Sequence, residues 1–112
     1  MDEMQIRLEA ELAKLRESYL QRLPSDLAAL SALAHKLSCT AERALLEELH
    51  LRLHKLAGSA GTFGLMAMSD RARHLENIAR DWLEGNMPGV DGAVFRQWAM
   101  DVGSLSGADE AK

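Results

Sequence analysis

The stretch Leu53-His54-Lys55-Leu56-Ala57-Gly58-Ser59-Ala60-Gly61-Thr62-Phe63-Gly64 places one histidine on a helix whose neighbouring face is almost bare of side chains. A helix turns about 100° per residue, so Ala57, Gly58 and Gly61 all fall within about 60° of His54. Glycine inside a helix costs roughly 1 kcal/mol relative to alanine. Two glycines beside one imidazole therefore call for a reason, and close approach of another macromolecule supplies one. The apolar residues of the same helix, Leu46, Leu49, Leu53, Leu56 and Ala60, follow i, i+3, i+4, i+7 spacing and form a stripe centred more than about 100° from His54. His54 is thus expected to face solvent, with Glu47, His50 and Leu51 sharing its face.

Working outward, the 112 residues suffice for one domain with a modest core, expected to span about 8–103 with a tail at 104–112. Apolar residues make up 47% of the chain and there are only two prolines. With abundant Ala, Leu, Glu and Arg and few β-branched residues, this composition argues for an all-α fold. The net charge of −4 provides no basic footprint for nucleic acid. No apolar run approaches the roughly 20 residues of a membrane span, and Met1-Asp2-Glu3 does not resemble a signal peptide. The single Cys39 cannot form an internal disulfide, and a cytoplasmic setting fits.

Helical spacing of Leu8, Leu12, Leu15, Tyr19 and Leu23 predicts a first helix. Pro24 either kinks it or opens a second one that continues through Leu27, Leu30, Ala34 and Leu37. Ser38-Cys39-Thr40 reads as a turn with Thr40 as N-cap of the histidine helix, about 41–61. Thr62 to Leu65 form a tight connection in which Gly64 takes the left-handed geometry of a helix end. A helix from about Met66 to Leu83 turns Met68, Ala72, Leu75, Ala79 and Trp82 inward. Gly85-Asn86-Met87-Pro88-Gly89 is a loop, and a last helix, about 90–102, carries Val94, Phe95, Trp98 and Val102. Short connections between these helices imply an antiparallel bundle. The six methionines are most simply core filler.

An imidazole nitrogen is a good nucleophile near neutral pH, and a partner on the other ring nitrogen fixes its tautomer. Arg73, Glu76 and Arg80 share one face of the following helix at i, i+3, i+7 spacing. Antiparallel packing would bring this row beside His54, so that Glu76 accepts a hydrogen bond from Nδ1–H while the arginines help to hold an anion. The plainer reading is a solvated row of Arg73–Glu76 and Glu76–Arg80 ion pairs.

The run His-Lys-Leu-Ala-Gly-Ser-Ala-Gly-Thr-Phe-Gly-Leu from His54 resembles the signature of histidine-containing phosphotransfer (HPt) domains. It is similar also to the N-terminal phosphotransfer domain of chemotaxis histidine kinases. Leu15-Arg16-Glu17-Ser18-Tyr19-Leu20 through Leu33 looks like the family's opening helices, and His74-Leu75-Glu76-Asn77 falls where the chemotaxis-type domains carry a glutamate near the histidine. The resemblance implies an all-α, antiparallel four-helix bundle with an additional short N-terminal helical segment, in which His54 accepts a phosphoryl group at Nε2 from a receiver-domain aspartate or a kinase and passes it to a receiver. It implies that Gly58 lets the receiver approach, that Gly64 turns the chain, and that Glu76 hydrogen-bonds the imidazole. The expected partners are response-regulator receiver domains and a sensor or hybrid histidine kinase, met by a docking face of Leu51, Lys55, Ala57, Gly58 and Gly61. The chain itself would need no cofactor, the Mg²⁺ of such transfers belonging to the receiver. It would not be an enzyme in its own right, having no room for a kinase domain and no Gly-rich nucleotide loop. A monomer is the simplest expectation.

One position departs from the pattern. The family's lysine three residues after the histidine is Ala57 here, and Lys55 is rotated about 100° from His54 and cannot simply replace it. Either Arg73 or Arg80 then supplies the charge of that lysine, or transfer is slower or more selective for its partner. Two rival functions follow from other features: a helical adaptor that docks a receiver-like domain without carrying phosphate, and a metal site at His50 and His54, whose i, i+4 spacing lacks a defined third ligand.

Overall fold

The computed structural model of the chain describes residues 2–40, 42–86 and 93–105. Helix α1, Glu3–Thr40, is a single 38-residue element. At about 1.5 Å per residue it is about 57 Å long, which accounts for the 58 Å longest dimension of the molecule. Pro24 lies inside α1 and ends nothing. It sits on the exposed side, where the carbonyl four residues back loses its N–H partner but keeps access to water. The expected separate N-terminal segment is therefore the projecting start of α1. Leu8, Leu12 and Leu15 continue the stripe of the core but stand more than half exposed, and the buried core begins at Tyr19.

The turn expected at Ser38-Cys39-Thr40 is still helical. The hydroxyls of Ser38 and Thr40 donate to the carbonyls of His35 and Lys36 at 2.6 and 3.2 Å, so Thr40 satisfies the end of α1 rather than capping the next helix. Helix α2, Arg43–Thr62, follows Glu42, whose side chain makes no capping hydrogen bond. It ends in a paired motif: the Leu65 amide donates to the Ala60 carbonyl at 2.8 Å and the Gly64 amide to Gly61 at 3.2 Å. Gly64 has φ +86°, the left-handed position that this helix ending requires. Helix α3, Met66–Asp81, leads into a short wide turn, Trp82–Asn86, where the chain departs from helical geometry at Gly85. Helix α4, Ala93–Gly103, completes the bundle. The expected loop residues Met87, Pro88 and Gly89 and the expected start of the last helix lie outside the described residues.

The four helices pack in a ring, α2 on α3, α1 on α4, with α1–α2 and α3–α4 contacts closing it. Leu46, Leu49, Leu53 and Ala60 of α2 are fully buried, as are Leu37 of α1, Ala72 and Ala79 of α3 and Phe95 of α4. Trp82, Phe95 and Trp98 form an aromatic cluster with ring centroids 5.2–5.6 Å apart, and the Trp98 indole donates to the Leu75 carbonyl at 3.1 Å. Residues beyond Gly103 read as a frayed tail; Leu105 is fully buried, and 106–112 lie outside the described residues. Methionine is not core filler: Met4, Met66 and Met100 are exposed and only Met68 is buried among the described residues. Val94 is also exposed, because Phe95, one residue on, takes the inward direction.

Candidate functional site

Antiparallel packing of α2 on α3 sets the middle of one helix against the middle of the other. His54 and Glu76 meet there: Nδ1 of His54 donates to Oε2 of Glu76 at 2.8 Å. The two ends of this bond differ sharply in environment. The His54 side chain is 70% exposed and that of Glu76 only 5%. A buried carboxylate is tolerated when it is paired, and Oε2 has further basic neighbours. Arg80 donates to it at 3.4 Å from the next turn of α3, and Nε2 of His50 lies 3.4 Å away. The row on α3 is thus not simply a solvated ion-pair face, since its central member is buried.

With Nδ1 committed as donor, the lone pair of the neutral ring is on Nε2. The exposed ring edge borders a depression formed by Ala57, Gly58, Arg73, Glu76, Asn77 and Arg80. Arg73 lines this depression without joining Glu76, whose ion pairs run to His50, His54 and Arg80. The Arg73–Glu76 pair of the plainer reading is therefore not formed, and Arg73 lines the space beside the imidazole.

The expected docking residues separate into three groups. Gly58 lies in the depression, and a Cβ built on it would meet nothing within 4 Å. Leu51 and Lys55 line a different groove, between α1 and α2, together with Tyr19, Asp26, Arg52 and Ser59. Ala57, at the floor of the depression, and Gly61 both take part in the packing of α2 on α3. Ala57 is only 2% exposed, and its carbonyl accepts a 2.6 Å hydrogen bond from the buried Ser69 hydroxyl. A Cβ at Gly61 would stand 3.1 Å from that same Ser69 Oγ. Close approach of α3 is thus enough to account for glycine at position 61.

This contrast yields a stability prediction. Gly58→Ala is expected to stabilise the fold by about 0.5–1 kcal/mol through helix propensity alone. Gly61→Ala is expected to forfeit that gain and destabilise by about 1 kcal/mol, because Ser69 is held by its hydrogen bond and cannot retreat freely. Urea melts of the two variants check the opposite signs; a stabilised Gly61→Ala would show that Ser69 yields at no cost.

Sequence reading missed Ser69, whose only signal is a small polar residue next to the inward stripe of α3. It also missed the Tyr19 hydroxyl, which accepts from Ser59 at 2.9 Å while its ring stacks on Phe63 at 4.8 Å. Arg16 adds a third tie by donating from Nε to the Phe63 carbonyl at 3.0 Å, so the α2–α3 turn is anchored to α1. His50 entered as a half of a metal pair; in the fold it points to the Glu76 carboxylate. Among the described residues no group of three His, Cys, Asp or Glu side chains is arranged to hold a metal ion.

Residues 14–107 match the family model of the Hpt domain. The match covers most of the chain, and the chain belongs to that family. Hpt domains are histidine phosphotransfer modules of phosphorelays, without kinase catalytic activity, and they interact with response-regulator receiver domains and histidine kinases. No curated protein and no solved structure matches the chain. Among the described residues no helix is long and apolar enough to cross a membrane.

Proposed function

We propose that His54 is the phosphoacceptor of a phosphorelay intermediate, taking a phosphoryl group from a receiver-domain aspartate or a kinase and passing it to a receiver-domain aspartate. The observation that carries this reading is the 2.8 Å bond from Nδ1 to buried Glu76 on a ring that is 70% exposed. In the forward step the Nε2 lone pair attacks phosphorus, an N–P bond forms, and the P–O bond to the aspartate breaks with its electron pair leaving on the carboxylate. The proton stays on Nδ1, where the negative Glu76 balances the positive charge that develops on the ring. The reverse sequence delivers the group to the next receiver.

Arg73 and Arg80 border the space that the phosphoryl oxygens would enter, and they offer the positive charge that the family pattern places at position 57. Gly58 leaves room for the receiver, while Leu51 and Lys55 extend the contact towards α1. In this reading the protein acts as a cytoplasmic monomer and needs no metal of its own, the receiver supplying Mg²⁺.

The direct test is incubation with a receiver domain phosphorylated on its aspartate. Acid-labile, base-stable label on the chain is the expected result; no label from several receivers that bind it would overturn the reading. Glu76→Ala is expected to slow transfer about ten- to a hundredfold without abolishing it, since the nucleophile remains but its tautomer is no longer held. Rapid-quench transfer rates check this, and an unchanged rate would relegate Glu76 to a structural ion pair.

A further inference from the structure

The geometry points to His50 as a positioning residue for His54, acting through the carboxylate that the two imidazoles share; the proposal rests on the phosphotransfer reading above. His50 and His54 are one turn apart on α2, yet their exposures are 22% and 70%. Nε2 of His50 is shielded from solvent and makes no hydrogen bond, although Glu76 Oε2 stands only 3.4 Å from it. The two atoms lie within ion-pair distance without forming a hydrogen bond.

A buried imidazole nitrogen without a partner is costly, and which tautomer His50 adopts decides how costly. With the proton on Nδ1, the Nε2 lone pair would face a carboxylate oxygen and repel it. With the proton on Nε2, the N–H points at negative charge. The same oxygen thus selects Nε2–H on His50 and Nδ1–H on His54, two opposite tautomers on one acceptor. A carboxylate oxygen accommodates more than one donor, and Arg80 approaches from the other helix. His50 therefore helps to hold the Glu76 carboxylate in place beneath His54.

The test compares the wild-type chain with His50→Phe, which fills the space without a donor, and His50→Gln, whose side-chain amide can donate to Oε2. Long-range ¹H–¹⁵N spectra report the His54 tautomer, and labelling by phosphoramidate, a small phosphoryl donor, reports the reactivity of its Nε2. In His50→Phe the His54 ring is expected to move from Nδ1–H towards a tautomer mixture, with labelling slowed about tenfold. In His50→Gln both readouts are expected to return to within about twofold of wild type. If His50→Phe does not fold, His50→Leu makes the same comparison. A wild-type His54 tautomer in the donorless variant, or no rescue by glutamine, overturns the proposal. If the wild type takes label from neither phosphoramidate nor a phosphorylated receiver, the phosphotransfer reading fails, and the tautomer comparison still decides the role of His50.

Discussion

Replacement of His54 by alanine is expected to remove all acid-labile label from the chain while leaving the fold and receiver binding in place. The ring is 70% exposed, so little apolar contact is lost, and alanine is the best helix former at a mid-helix position. Glu76 loses its shortest partner but retains Arg80 at 3.4 Å and His50 at 3.4 Å, so its charge is not stranded. The effect on acid-labile, base-stable label is total because no other histidine lines the depression. His35 and His74 are exposed elsewhere on the surface, and Nε2 of His50 is shielded from solvent. Calorimetric binding of a receiver, measured beside label transfer, separates a phosphorelay intermediate from an adaptor. Binding by both chains with label only on the wild type supports the relay; equal label on His54→Ala would move the phosphoacceptor to another histidine.

Gly58→Gln is expected to reduce transfer from a phosphorylated receiver by at least about a hundredfold, with thermal stability equal to or above that of the wild type. Position 58 lies about 40° around the helix from His54 and faces open space. A glutamine there fills the depression that a receiver must enter to bring its aspartyl phosphorus about 3–3.5 Å from Nε2. A displacement of about 1 Å at that distance is enough to cost about a hundredfold. Glutamine is a better helix former than glycine, so unfolding cannot account for the loss. Labelling by phosphoramidate, small enough to bypass the obstruction, should stay near the wild-type rate. Equal slowing with both donors would show that position 58 acts on the imidazole itself, and unchanged receiver transfer would place the docking surface elsewhere.

The retention of glycine at 58 gains weight from this pairing. Alanine there would be more stable and would touch nothing within the fold. A residue that is worse for stability than its nearest alternative, beside a reactive side chain, is the pattern left when function opposes stability. The same logic applied to Gly61 fails, because Ser69 occupies the space that its Cβ would need.

Much of the architecture was readable from periodicity. The stripe Leu46, Leu49, Leu53, Leu56 and Ala60 is buried, and its direction alone turns His54 to the outside. Gly64 at φ +86° confirms the turn that its position after the stripe predicts. Where the reading failed, a local signal lost to length or depth. Ser38-Cys39-Thr40 has turn composition, but the helix runs through it because Leu37 is fully buried and the two hydroxyls satisfy helical carbonyls. Leu8, Leu12 and Leu15 have the spacing of a core but project beyond the helices that would cover them.

The site divides along the same line. Sequence by itself determined the angular facts: a histidine opposite the apolar stripe, a glycine beside it, an Arg-Glu-Arg row on the next helix, and a turn short enough to set the two antiparallel. Tertiary structure alone decided the facts of distance and depth. It buried Glu76 while leaving His54 exposed, brought His50 to the same carboxylate, sent Lys55 to the α1 side, and assigned Gly61 to packing and Gly58 to open space. The physical reason is that helical periodicity specifies direction around one axis. How deep a side chain lies, and which neighbour it meets, depends on the separation and rotation of a second helix, set by small residues such as Ala57, Gly61 and Ser69 at the contact.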